Sequence, residues 1–369
     1  MKKILILTCS TGEGHNSAAR AIETVLRKKG VQCELADPVA FQSDRMKHMV
    51  SALYNNTIRT KPAVFGAVYK LGDLYCSAKL PSPVYWANAH YSAALEKYIL
   101  DNGFDAVICT HLYGMEAMTA IRRRNDSFVP CYGVLTDYTC IPFIEETELD
   151  GYFVPCQETR DYMVGKGYDP AILYITGIPV DDSFRELPDR ADARKELDIA
   201  ADRKVYLVMT GGVGCENMEG LCGCLLSQLP RDGLLIVMTG KNEALRNRLE
   251  EKYAATGQFR AIPFVRNVPV YMAAADVLLS KPGGLSSTEA AVANVPLVHI
   301  HAIPGCETCN ARFFADHGMS FCAENDREAV SYANTLAENE AIAREMLQMQ
   351  RKYVNPNAAG AIVQKVMGT

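Results

Sequence analysis

The chain has 369 residues, 49% hydrophobic and 22% charged, enough for two domains of ordinary size. Its net charge of −5 argues against general nucleic-acid binding, and no apolar run reaches the ~18–20 residues that span a bilayer. Met1-Lys2-Lys3 leads directly into Ile4-Leu5-Ile6-Leu7, which reads as a first strand and not a signal peptide.

Taken in order, strand-like runs fall at 4–8, 32–36, 106–110, 129–135, 151–155 and 172–176, with helical patterns between several of them. A helix is expected over about 17–29. Strand–helix alternation predicts α/β units with parallel sheets. After Thr176-Gly177-Ile178-Pro179-Val180 the text turns polar and charged, as a hinge would. A second series follows at 205–209, 234–238, 260–264, 277–279 and 297–300, and the chain from 326 onward is helical and polar. The expected division is 1–178 for a first Rossmann-like domain, 179–203 for a hinge, 204–345 for a second such domain and 346–369 for a helical tail. Two such halves would face a central cleft at the carboxyl ends of their sheets.

Residues 45–95 break this rhythm. They lack a clear strand, are rich in Met, Tyr and Ala, hold the only tryptophan, Trp86, and carry six basic residues against one acidic. Such a segment suits an anionic membrane surface, and it equally suits a helical insertion packed on its own sheet. The thirteen cysteines are scattered through apolar runs, as small buried hydrophobes in a reducing, cytoplasmic compartment are. Cys306-Glu307-Thr308-Cys309 is one CxxC; without a second, a structural zinc lacks its four ligands, and no metal is expected.

Candidate chemistry gathers after the strands. Gly12-Glu13-Gly14-His15 follows the first strand, where two glycines allow a tight turn and close approach of a ligand. His15 suits the task of taking a proton from an attacking hydroxyl near pH 7, or is a helix-start residue bonded to backbone. Asp137 and His111 lie at equivalent strand ends; Asp137 either orients His15 or an acceptor, or caps a turn. In the second half, Gly211-Gly212-Val213-Gly214 follows the first strand. Lys281-Pro282-Gly283-Gly284-Leu285-Ser286-Ser287-Thr288-Glu289 reads as a glycine turn opening a helix. Free N–H groups at that helix start would hold a diphosphate, and Glu307 offers an acceptor for ribose hydroxyls. The plainer alternative is an ordinary turn with a capping box from Ser286 to Glu289. His299 and His301 flank Ile300, so one of them is expected to be buried.

These residues resemble a family. Gly12-Glu13-Gly14-His15, Leu135-Thr136-Asp137-Tyr138, Thr176 to Val180, Lys281 to Gly284 with Thr288-Glu289-Ala290, and Pro304-Gly305-Cys306-Glu307 with Asn310-Ala311 are similar, in the same order, to the processive diacylglycerol glucosyltransferases and monogalactosyldiacylglycerol synthases. The resemblance implies a GT-B fold and inverting transfer of glucose or galactose from a UDP-sugar to diacylglycerol or a glycosyl-diacylglycerol. It also implies no cofactor or obligatory metal, and a peripheral position on the inner face of the cell membrane. It casts His15 as the acceptor-side histidine; from their own placement along the chain, Gly14, His111 and Trp86 are candidates for the acceptor and lipid side. The donor side comprises Gly211, Gly212, Gly214, Lys281, Gly283, Gly284, Ser286, Ser287, Thr288, Cys306, Glu307 and Asn310. Cys306 departs from the family's usual Gln, and a thiol is the weaker hydrogen-bonding partner. Three other readings stand beside this one: a GlcNAc transferase acting on a polyprenyl-linked lipid, a UDP-sugar epimerase, and a catalytically altered UDP-sugar-binding protein.

Overall fold

The computed structural model describes residues 2–9, 13–41, 81–209 and 218–368. The chain divides into two units: Met1–Asp181 with Pro304–Cys306 and Asn355–Thr369, and Asp182–Ile303 with Glu307–Val354.

Short strands that are apolar on both faces, each followed by a helix, belong in a parallel sheet covered on both sides. The first unit is built that way. Its elements are β1 (Lys3–Leu7), α1 (Glu13–Lys28), β2 (Gln32–Ala36), α2 (Pro83–Ala89), α3 (Ser92–Asp101) and β3 (Ala106–Cys109). There follow α4 (Leu112–Arg122), β4 (Cys131–Val134), β5 (Gly151–Val154), α5 (Gln157–Gly165) and β6 (Leu173–Ile175). The sheet order is β2-β1-β3-β4-β5-β6, with every pairing parallel. Alternate residues feed opposite layers: Leu5, Leu7, Val107 and Cys109 pack with α3 and α4, while Ile4, Ile6 and Ile108 pack with α1. Chain order reverses between β1 and β3, so the loops leaving these two strands diverge at the carboxyl edge.

The second unit repeats the plan. It contains α6 (Arg190–Glu196), β7 (Lys204–Met209), α7 (Met218–Gln228), β8 (Gly233–Gly240), α8 (Glu243–Tyr253), β9 (Phe259–Pro263) and α9 (Val268–Ala274). It continues through β10 (Val277–Ser280), α10 (Gly284–Val292), β11 (Leu297–His299), α11 (Cys306–Asp316), β12 (Phe321–Cys322), α12 (Asp326–Glu338) and α13 (Glu340–Tyr353). The order β12-β11-β10-β7-β8-β9 is again wholly parallel, with its reversal between β7 and β10.

The expected polar tail at 346–369 is corrected. Residues up to 354 stay with the second unit, and the last helix, α14 (Ala358–Met367), belongs to the first. Its apolar face buries Ile362, Val363 and Val366 beside Ile22 and Leu26 of α1. The preceding Asn355 donates its amide to the Thr176 carbonyl at 2.8 Å. Gly177 has φ +87°, and a Cβ there would meet the Cβ atoms of Ala358 and Asn355 at 3.3 Å. The glycine of the Thr176–Val180 motif is thus required where the chain returns.

Of the basic, aromatic segment, 42–80 and all its charged residues lie outside the described residues. The remainder is helical. Ser82 caps α2 by accepting from the Tyr85 N–H at 3.0 Å, and its own N–H donates to Glu146 Oε2 at 2.9 Å. Asn88 donates to Glu116 Oε2 at 2.6 Å. Glu116 is fully buried on α4, its Oε1 has no partner among the described residues, and burial pushes its carboxyl up to about 8. A raised carboxyl stabilises fully below its unfolded value of 4.5, and that contribution is lost as pH rises toward about 8. Glu116→Gln keeps an acceptor for Asn88 and removes the ionisation. Chemical denaturation should show it more stable than wild type by on the order of 2 kcal/mol at pH 7.5, and level with it at pH 4.

Candidate functional site

In the first unit the site begins with register. β1 pairs with β3 so that Leu7 lies beside Cys109, which brings the loops that follow them together. His15 stands in the first turn of α1, and its ring meets His111 edge to face with centroids 4.7 Å apart. Nδ1 of His15 lies 2.9 Å from the Thr110 carbonyl oxygen and 2.9 Å from Thr136 Oγ1. A carbonyl only accepts, so Nδ1 carries the proton and Nε2 keeps its lone pair. Thr110 also donates its hydroxyl to the His15 carbonyl at 3.2 Å, gripping the residue at both ends. Burial lowers the His15 pKa, and the Thr110 carbonyl opposes that by favouring the charged form.

His111 is the N-cap of α4, and its Nδ1 accepts from the Tyr113 N–H at 3.2 Å. Burial first, and the neighbouring His15 second, hold its pKa well below 6.5. Asp137 does not hold His15; the adjacent hydroxyl of Thr136 does. Successive residues leaving a strand point to opposite sides, and it is Thr136 that turns toward the ring. Asp137 itself is half-buried in the loop after β4.

In the second unit α10 opens at Gly283, an N-cap with φ −69° and no side-chain cap. The capping-box alternative is therefore corrected: Ser286 and Glu289 do not cap this helix. Among the described residues a Cβ at Gly283 would touch only Ser286 Oγ, at 3.9 Å, so none of them demands glycine there. Gly284 opens the helix and is buried. The three hydroxyls that follow divide. Ser286 is half-exposed at the helix start, whereas Ser287 and Thr288 are fully buried. Ser287 Oγ lies 2.9 Å from Nε2 of the buried His299, and Thr288 donates to the Gly284 carbonyl at 2.6 Å. These two, read as donor-binding, turn inward because a helix advances 100° per residue and only one of three neighbours can face out. Asn310 is corrected likewise: buried on α11, it donates to the Pro282 carbonyl at 3.0 Å and braces the turn.

Glu307 Oε2 accepts the Ile303 N–H at 2.8 Å, and Oε1 lies 3.8 Å from Lys281 Nζ. The loop before it is held by His301, which adopts φ +50° and sits 2.8 Å from Asp326 Oδ1. Cys306, half-buried, is the first residue of α11. Gly211, Gly212 and Gly214 lie outside the described residues. Gly14 is in the first turn of α1, and Trp86 stands 63% exposed on α2. One feature escaped the sequence reading. Phe264, just after β9, is 58% exposed with Lys241 Nζ 5.8 Å from its ring centroid, at the same sheet edge as the α10 turn. Its only sequence signal is an aromatic residue ending a buried strand.

Two doubly wound parallel sheets, each with its own switch point, make the two-domain Rossmann-like architecture of the GT-B class. Residues 15–180 match the family described as monogalactosyldiacylglycerol (MGDG) synthase, and 206–361 match the glycosyltransferase family 28 C-terminal domain. A processive diacylglycerol beta-glucosyltransferase of Bacillus pumilus is 24% identical, the alignment covering 99% of this chain and 94% of the relative. That of Bacillus subtilis is also 24% identical, covering 99% and 95%. MurG of Acinetobacter baumannii, 16% identical over 100% of both chains, shares the fold with a TM-score of 0.68. The chain belongs to the family of processive diacylglycerol glucosyltransferases and monogalactosyldiacylglycerol synthases, and it is a glycosyltransferase.

Because a Cβ at Gly283 comes no closer than 3.9 Å to any described residue, Gly283→Ala should cost the fold no more than about 1 kcal/mol, an N-cap effect. Its Cβ would instead obstruct a diphosphate. Calorimetric titration with UDP should show affinity reduced at least about 10-fold with the melting temperature nearly unchanged, and wild-type affinity would show that the anion does not approach this turn.

Proposed function

We propose that this enzyme transfers glucose or galactose from its UDP-sugar to the hydroxyl of diacylglycerol or a glycosyl-diacylglycerol, with inversion at C1, on the cytoplasmic face of the membrane. The observation that carries the reading is the tautomer of His15. With Nδ1–H committed to Thr110, Nε2 is an unprotonated base at neutral pH. It takes the acceptor's hydroxyl proton as that oxygen bonds to the sugar C1 and the bond from C1 to the diphosphate oxygen breaks. One displacement inverts the centre. The Thr110 carbonyl then faces an imidazolium and stabilises it.

Charge builds on the departing UDP, and a helix start without a side-chain cap, at Gly283, supports the reading that backbone N–H groups of α10 receive it. Lys281 stands beside that turn, and this reading assigns no step to a metal or other cofactor. Glu307 supports the reading as an acceptor for ribose hydroxyls, and the exposed face of Phe264 as a stacking surface for the base. The names of the curated relatives support diacylglycerol as acceptor. The exposed Trp86 and the basic composition of 45–95 support a membrane-surface location.

Purified protein, diacylglycerol vesicles and a panel of UDP-sugars test this, with the lipid product read by mass and its anomer by NMR. His15→Ala should lower kcat by on the order of 10²–10⁴ while UDP binding survives; undiminished turnover would remove His15 from the chemistry. The depressed His15 pKa sets the sign of the pH profile. The base is lost only when it protonates, so the acid limb of kcat/KM should fall below pH 6.5, and a midpoint above 6.5 would contradict the lowered His15 pKa. Flotation with neutral and anionic vesicles checks the surface claim, which indifference to lipid charge would sink.

A further inference from the structure

The two histidines at the first switch point are held in opposite tautomers. His15 has its proton on Nδ1, fixed by the Thr110 carbonyl, so its Nε2 is a lone pair. His111 has its lone pair on Nδ1, fixed by the Tyr113 N–H it accepts, so its Nε2 carries the proton. Each assignment follows from a backbone group that cannot change its role. The rings lie edge to face at 4.7 Å, both half-buried, and among the described residues neither Nε2 has a hydrogen-bond partner.

An acceptor nitrogen on one ring and a donor nitrogen on the ring packed against it are together complementary to a group that both donates and accepts. A carboxylate would face the lone pair of His15, and an ammonium would face the N–H of His111. A neutral hydroxyl satisfies both: it donates to His15 and accepts from His111. We infer that His111 is a catalytic residue of the transfer, whose Nε2–H holds the oxygen of the acceptor alcohol while His15 Nε2 removes its proton. This deepens the proposed function and rests on it.

Burial, and after it the neighbouring His15, hold the His111 pKa well below 6.5, so His111 is a neutral donor at neutral pH. Tyr113 adds a third ring against His111, at 4.5 Å between centroids, and Thr136 keeps His15 in place. As the acceptor oxygen loses its proton, the neutral N–H stays on it and aligns its remaining lone pair with C1.

The test has two readouts, one of which needs no turnover. Long-range proton–nitrogen NMR of ¹⁵N-histidine protein, with His15→Gln and His111→Asn used to assign the signals, reports the tautomers directly. At pH 7 His15 should be protonated on Nδ1 and His111 on Nε2. A water-soluble short-chain diacylglycerol should shift the Nε2 signals of both rings. His111→Asn keeps an N-cap for α4 but lacks the far N–H. It should lower kcat/KM on diacylglycerol vesicles about 10-fold to 100-fold, leaving the acid limb, the UDP affinity and the melting temperature as in wild type.

A His111 protonated on Nδ1 overturns the inference, and so does a His111→Asn enzyme with wild-type kcat/KM; in the latter case the His15 reading stands. If the wild type glycosylates no lipid alcohol, yet the short-chain diacylglycerol still shifts both rings in the expected tautomers, the transfer reading fails and the alcohol clamp survives.

Discussion

A parallel strand followed by a right-handed crossover leaves every loop that follows a strand at one edge of its sheet. All the chemistry of this enzyme hangs on that constraint. The strands must be apolar on both faces to be buried, so polar side chains collect where the strands stop. Where the order of strands reverses, two such loops diverge and leave room between them. Leu7 pairs with Cys109, and that single register is why residues 15 and 111, almost a hundred positions apart, stand ring against ring. In the second unit the corresponding edge holds the opening of α10.

Much of this was legible in the sequence because apolar runs of four to eight residues punctuated by glycine have few other uses. Among the described residues, eleven of the twelve strands were placed from such runs. The exception, β12, is two residues long and leaves no periodic trace. His15 was legible as a polar residue just past the first strand. That Thr136 and not Asp137 would hold it was not, since adjacent positions differ only in which side of the chain they face. Ser286, Ser287 and Thr288 failed similarly: a run of hydroxyls shows that a helix start is polar, but not which of them meets the outside. The return of α14 to the first unit was illegible because it rests on contacts far apart in sequence.

The donor turn is stiff by construction. Ser287 ties α10 to His299, whose other nitrogen lies 3.0 Å from Ser320 Oγ, and Asn310 ties α11 to Pro282. Burial holds His299 down to about 3, so this brace remains uncharged throughout the working range. Lys281 and Glu307 already face one another across the turn, which limits how much free positive charge the lysine contributes. In the proposed transfer, the attraction for a diphosphate would therefore fall largely on backbone N–H groups, whose direction is set by the helix and not by a flexible side chain.

The return of the chain at Asn355 has a temporal consequence. Residues 1–181 leave the ribosome first, but the layer over α1 lacks Ile362, Val363 and Val366 until the whole donor unit has been made. During synthesis the nascent acceptor half therefore waits with an uncovered apolar seam beside Ile22 and Leu26. The enzyme's first unit is thus the last to be completed.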